Sequence, residues 1–289
     1  MVYKLNKPVA FSEIANYLGL KLFGNDRSIM SVSSFDEAKE DSLTFNSNID
    51  DKKATCLITI SGHKKESLNT SFVESQNPRL DFIRALDFLN TDIGFSHNDF
   101  ESEVHPTAQL GENVIIEKGC KIEENVIIEH NTTIHSGCHI RKNSRIRSNC
   151  SIGGEGFGFE TLEDGSTIRF VHLGGVDIGE NVEIGAVNSV VRGALGNTVI
   201  QDYVKTDNLV HIAHNCFIGK GSLLTACAEI SGSVTLGKNV WLGPNCSLNN
   251  KISIGDKSFI GLGAVVTKNI PPNEVWAGNP ARFIKKIEV

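Results

Sequence analysis

The sequence predicts a mainly β chain, a parallel β-helix over residues 101–270 preceded by a small α/β domain over residues 1–100. Three observations carry this. An aliphatic residue recurs at every sixth position through most of the longer segment. Short Ile/Val runs there are joined by Gly-Asn, Glu-Asn and Lys-Asn pairs, in a chain with 27 glycines and 7% aromatic residues. Residues 1–100 do not follow the period and show helical spacing instead.

In the first domain, FSEIANYLGL places Phe11, Ile14, Ala15 and Leu18 on one helix face, and a Gly24-Asn25 turn follows. Asn77-Pro78 opens a second helix over RLDFIRALDFLN, with a capping side chain ahead of a proline that needs no N–H partner. Between the helices, SLTFNSN and ATCLITI read as strands. The segment TDIGFSHNDFESEV links this domain to the first coil.

The period begins with Val104, Leu110, Ile116, Ile122, Ile128, Ile134, Ile140, Ile146 and Ile152. It stops, resumes at Ile178, Ile184 and Val190, slips once, and runs from Ile200 to Val266 with one miss, Thr206. A strict period of six suits neither a helix nor an alternating strand. It suits a short strand and a turn, repeated, with one aliphatic side chain per side pointing into a narrow interior. Three sides make a coil of about 18 residues, and stacked coils pair as parallel strands about 4.8 Å apart. The gap at residues 153–177 reads as an inserted loop, and residues 271–289 as a short tail. Its glycine-rich GGEGFG does not open a helix after a strand, so it is no dinucleotide fingerprint.

Cys120, Cys138, Cys150, Cys216 and Cys246 each sit four residues after a periodic aliphatic, in a slot filled elsewhere by Ala108, Ser144 and Ala228. They read as small inward-facing hydrophobes, not as a disulfide framework, which fits a reducing cytoplasm. The start of the chain lacks the apolar core and cleavage site of a signal peptide. No apolar run approaches the ~18 residues of a membrane span. A net charge of −6 argues against nucleic acid. The nine histidines show no HxH or HExxH spacing, so no metal site is expected.

Beyond the repeat, the segments FSEIANYLG, DSLTFNSN, ESQNPRLDFIRAL, GGEGFGF, HLGGVDIGENVEIGA, RGAL and DNLVHIAHNCFIG resemble the UDP-3-O-acyl-glucosamine N-acyltransferases of lipid A synthesis, a family of hexapeptide-repeat acyltransferases. The resemblance spans most of the chain. It implies that the coils wind left-handed, that three chains assemble as a homotrimer, and that the first domain grips the uridine of a nucleotide-linked amino sugar. It also implies a cytoplasmic enzyme with no tightly bound cofactor, using acyl-CoA or acyl carrier protein as co-substrate.

Residue by residue, the resemblance makes His214 of IAHN the catalytic base and Gly232 the oxyanion donor. His214 lies two residues after Ile212, hence at a coil corner, and Gly232 falls one coil on, about 5 Å away. Asp207 or Asn208 is the expected polar neighbour of the base, and His211 a companion in the same cleft. Phe45 and Asn48 match a uracil-stacking aromatic and its hydrogen-bonding asparagine. Leu262 and Val265 are candidates for the acyl slot, and Arg282 for carrier or CoA phosphates.

Three positions depart from the family pattern. Asp51 stands where a second stacking aromatic belongs, Val191 where an aspartate precedes RGAL, and Lys251 where a second histidine falls. The ending AVVTKNIPPNEVWAGNPARFIKKIEV is similar to the tails of CoA-dependent hexapeptide acetyltransferases. Two enzyme readings follow: an N-acyltransferase on a nucleotide-linked sugar of another surface glycan, or the lipid A enzyme itself. A silent trimeric scaffold is the reading from another class.

Overall fold

The six-residue period becomes a three-sided coil in the computed structural model, which describes residues 1–46, 56–60 and 70–288. Two compact units are present: residues 1–99 with 157–171, and residues 100–156 with those from 172 onward.

In the second unit, sides of two to four residues pair in parallel as three faces of eight strands each, and two strands beyond the last coil extend the second face to ten. The first face runs from Glu103–Val104 to Ser253–Ile254, the second from Gln109–Leu110 to Phe259–Ile260, and the third from Ile115–Ile116 to Val265–Val266. Register follows the aliphatic period: Ile122 pairs with Ile140, Ile128 with Ile146 and Ile134 with Ile152. Periodic residues therefore rest on their counterparts one coil away, and the buried ones fill the interior as one continuous cluster.

The ends and the miss in the period have physical explanations. Val104 and Leu110 are exposed because they belong to the terminal coil, with no coil beneath them. Thr206 stays inside because its hydroxyl is satisfied: Oγ1 donates to Asn188 Oδ1 at 3.0 Å and accepts the Gly185 N–H at 2.9 Å. The five cysteines of the small slot are buried and unpaired, and burial pushes the Cys216 and Cys246 thiols up to about 12. Such thiols stay protonated and unreactive at neutral pH.

The corners impose a condition of their own. In most of them the third residue after the periodic aliphatic adopts a left-handed conformation, with φ near +60° at Asn113, Asn125, Asn131, Asn143, Asn149, Asn181, Asn215, Asn239 and Asn245. Asparagine and glycine tolerate this region best, which explains the many X-Asn pairs. The N–H of that residue donates to a corner carbonyl of the preceding coil, as in Asn131 to Glu112, Asn149 to His130 and Ser233 to His214.

Beyond the last coil, Glu274–Ala277 joins the second face beside Phe259–Ile260 and turns back as the antiparallel strand Arg282–Lys286. Trp276 and Ala281 are buried there and complete the core cluster.

The first unit is a six-stranded sheet with strands β1 (Val2–Ala10), β2 (Leu22–Phe23), β3 (Ser28–Ser33), β4 (Ser42–Phe45), β5 (Cys56–Ile60) and β6 (Ser71–Ser75), in the order β1-β3-β4-β5-β6-β2. Helix α1 (Phe11–Leu18) buries Phe11, Ile14 and Ala15 of the face its spacing foretells, leaves Leu18 half-buried, and ends at Gly19 in a left-handed cap. Helix α2 (Pro78–Phe88) starts at Asn77, whose side chain accepts the Leu80 N–H at 3.1 Å. Part of the expected excursion joins this unit: Phe159–Thr161 and Thr167–Arg169 form a hairpin, Arg79 pairs with Glu160, and Phe170 meets Phe82 edge-on at 6.2 Å.

Val187 occupies a left-handed corner with φ 57° and is half exposed. A β-branched residue is strained there. Val187→Asn is expected to stabilise the protein by about 1 kcal/mol, read as a higher urea midpoint; an unchanged or lower midpoint contradicts the corner argument.

Candidate active site

His214 stands where the chain leaves the third face for the first. The buried Ile212 fixes the strand beneath it, and Asn215 makes the left-handed turn that follows. The His214 carbonyl accepts the Ser233 N–H at 2.8 Å, so its backbone is tied into the ladder of corners. Its ring is partly exposed. Asn215 holds it from one side, with Nδ2 donating to Nδ1 at 3.1 Å, while Asn215 Oδ1 accepts the Ala194 N–H at 2.7 Å.

Gly232 is the matching corner residue one coil on, and it leaves room for the ring. A Cβ built there would lie 2.6 Å from His214 Cε1 and 2.7 Å from Nε2. Any side chain would therefore displace the imidazole. The Gly232 carbonyl accepts the Lys251 N–H at 3.0 Å, while its own N–H has no acceptor among the described residues. An imidazole edge and an uncommitted backbone donor thus lie side by side, one coil apart.

His172 is a residue the sequence reading passed over. It is 3% exposed, and its ring meets that of His214 at 5.3 Å between centroids and 64° between planes. Gly156 makes space for it: a Cβ there would lie 2.7 Å from His172 Nε2 and 3.1 Å from Val191 Cγ1. Glu155 Oε2 stands 3.7 Å from His172 Nδ1, and Arg192 Nη1 is 3.9 Å from Glu155 Oε1. The HLGG segment carries the signal, but a lone histidine beyond a loop gives no hint that it returns beneath another.

Four of the other candidates divide between two corners. Lys251 shares the corner of His214 and Gly232, exposed and left-handed. Asp207, Asn208 and Leu262 lie at the preceding corner, between the second and third faces. There the Asp207 carboxylate accepts the Asn208 N–H at 2.8 Å, and Asn208 Oδ1 accepts the Ala186 N–H at 2.8 Å. Both side chains are thus committed to that corner's backbone, and Asn215 and His172 flank His214 instead. Leu262 is 79% exposed. His211 and Val265 are on the third face, His211 between Ser189 and Glu229, and Val265 beside Ser247. Arg282 is on the hairpin beyond the last coil, its Nη1 donating to the Ala281 carbonyl at 3.1 Å.

In the first unit, Phe45 is half-buried at the end of β4, and its ring lies 4.7 Å from that of Phe82. Asn48 and Asp51 fall outside the described residues. Among the described residues, no group of three or more His, Cys, Asp or Glu side chains is placed to hold a metal ion, and no helix is long and apolar enough to cross a membrane.

Part of the repeat matches a known family. Residues 119–154 match the bacterial transferase hexapeptide family, described by six repeats. The UDP-3-O-acylglucosamine N-acyltransferase of Campylobacter lari is 35% identical over 95% of this chain and 93% of its own length. The enzyme of the same name from Helicobacter hepaticus is 40% identical over 45% of this chain and 40% of its length. Among solved structures, LpxA of Acinetobacter baumannii is 24% identical with a TM-score of 0.43, covering 64% of this chain and 72% of that one. The UDP-N-acetylglucosamine acyltransferase of Francisella novicida is 22% identical with a TM-score of 0.46, covering 64% and 68%.

Gly232→Ala is expected to displace the His214 ring while the β-helix stays folded. The histidine ring signals of His214 should shift in an NMR spectrum whose core methyl signals are otherwise retained. Unmoved ring signals would show that the glycine is not what gives the imidazole its place.

Proposed function

Because the chain belongs to the UDP-3-O-acylglucosamine N-acyltransferase family, we propose that it moves an acyl group from a thioester carrier to the amine of a nucleotide-linked amino sugar. The observation that carries the reading is the pairing of His214 with Gly232, which sets a titratable ring beside an open backbone donor.

The chemistry follows from what the two groups can do. The amine nitrogen attacks the thioester carbonyl, forming the C–N bond as the C–O π pair moves onto oxygen. The Gly232 N–H donates to that oxyanion, where charge develops in the transition state. His214 takes the proton the amine sheds and returns it to the departing thiolate as the C–S bond breaks. A thioester is reactive enough that no covalent enzyme intermediate is required. His172, whose ring meets that of the base at 5.3 Å, packs against it from within the coil.

The division of candidates between two corners supports a composite site. A single convex corner cannot enclose a substrate, whereas a homotrimer would bring another chain against the third face and its two edges. Phe45, packed on Phe82, is available as a one-sided stacking platform for the uracil, with Asn48 as its hydrogen-bonding companion. The acyl donor is acyl-CoA or acyl carrier protein, held near Leu262 and Val265 and by the Arg282 charge. The reaction belongs in the cytoplasm, where the buried thiols stay reduced.

A second reading has its own support. Identity to the Campylobacter lari enzyme extends over 95% of this chain, the first unit included. On that reading the acceptor is a 3-O-acylated UDP-glucosamine and the product serves lipid A.

The test is a panel of UDP- and dTDP-linked amino sugars offered with acetyl-CoA or with 3-hydroxyacyl carrier protein. Thiol release and product mass are read together, with light scattering on the same sample. His214→Ala is expected to lower turnover about 10²–10⁴-fold with the trimer intact. Unchanged thioester turnover in that variant would leave only a scaffold, and an active monomer would remove the composite site. Turnover confined to the acylated carrier and 3-O-acylated UDP-glucosamine selects the lipid A reading.

A further inference from the structure

We infer that Asn215 decides which nitrogen of His214 carries the proton, and that turnover requires the Asn215 amide to reverse. The inference rests on His214 acting as the base. Asn215 is held in the left-handed corner conformation at φ 58°. Its Oδ1 accepts the Ala194 N–H at 2.7 Å, and a backbone donor admits only the oxygen there. The group turned towards the ring is therefore the NH₂, donating to Nδ1 at 3.1 Å. A neutral imidazole that accepts a hydrogen bond at Nδ1 carries its own proton on Nε2.

That assignment has a consequence for the reaction. The ring edge that faces Gly232 holds Cε1 and Nε2, the atoms a Cβ at 232 would meet first. Nε2 is thus the nitrogen beside the oxyanion donor, yet in the resting ring it is a hydrogen-bond donor and has no lone pair to offer an amine. Accepting a proton at Nε2 requires the other tautomer, whose Nδ1–H must meet an acceptor. Rotating the Asn215 amide by half a turn supplies one: Oδ1 then accepts from Nδ1–H. The same rotation takes the oxygen away from the N–H of Ala194, a residue 6% exposed, and leaves a buried donor without its partner. Asn215 is therefore a positioning residue with two settings, a resting one that satisfies the corner backbone and a working one that frees Nε2.

A carboxylate escapes the conflict, because one oxygen can accept the Ala194 N–H while the other accepts Nδ1–H. Aspartate also tolerates the left-handed corner. Asn215→Asp is expected to raise kcat about tenfold, the equivalent of one buried hydrogen bond no longer broken, with KM for the sugar nucleotide unchanged. A merely structural Asn215 predicts a kcat equal to or below wild type. The tautomer is read directly by long-range ¹H–¹⁵N correlation of the histidine rings, with His214→Ala identifying the signals. The wild-type ring should be protonated at Nε2 and the Asp variant at Nδ1. A wild-type ring protonated at Nδ1, or an Asp variant that turns over no faster, overturns the inference. Activity that survives in His214→Ala overturns instead the reading of His214 as base, whichever tautomer the spectra show.

Discussion

The β-helix depends on one repeated bargain at its corners. A residue there must enter the left-handed region so that its N–H can reach a corner carbonyl of the preceding coil, as Asn131 does to Glu112 and Lys251 to Gly232. Without that turn, the next short strand would leave the face at the wrong angle and the aliphatic column would not line up. With it, Ile122 stands beside Ile140 and Ile134 beside Ile152, and strands of two residues, too short to persist alone, gain parallel partners on both sides. The corner condition sets the register, and the register builds the core.

The candidate site is a by-product of the same condition. His214 and Gly232 both occupy the residue before a left-handed turn, and the carbonyl of each accepts an N–H from the coil above. Their backbones are fixed by the fold and not by the site. What distinguishes this corner is the side-chain choice laid on it: an imidazole on one coil, no side chain on the next, and an asparagine whose amide serves the backbone and the ring together. Elsewhere the same kind of stacking yields plain structural ladders, such as Glu117 to His135 at 3.1 Å and Asn125 to Asn143 at 3.2 Å. A polar ladder alone is therefore no mark of function.

Much of this was legible in residue order. The period gives the coil, the cysteine slot gives the second buried position, and the spacing of Phe11, Ile14 and Ala15 gives the buried face of α1. The Asn pairs announced turns but not their left-handed hand, because a pair such as Glu-Asn suits several turn types. Strands β1, β2, β3 and β6 were not legible, and β3 and β6 bury serines: Ser31 is bonded to Ser42 at 2.9 Å, and Ser71 accepts from Arg27 and donates to the Asn25 carbonyl. At the site, position relative to the period placed His214 and Gly232 correctly on one corner. The same arithmetic applied to Asp207 shows it one side of the coil earlier, and nearness in sequence had suggested a nearness in space that the three-sided geometry does not provide. His172 needed the return path of the excursion, which no periodicity encodes.

The most direct test is a crystal structure with an amino-sugar nucleotide and a non-hydrolysable thioester analogue bound together. The account predicts the acyl carbonyl oxygen about 3 Å from the Gly232 nitrogen and the sugar amine about 3 Å from a ring nitrogen of His214. An acyl carbonyl bound at the Asp207–Asn208 corner, with nothing against Gly232, would contradict it.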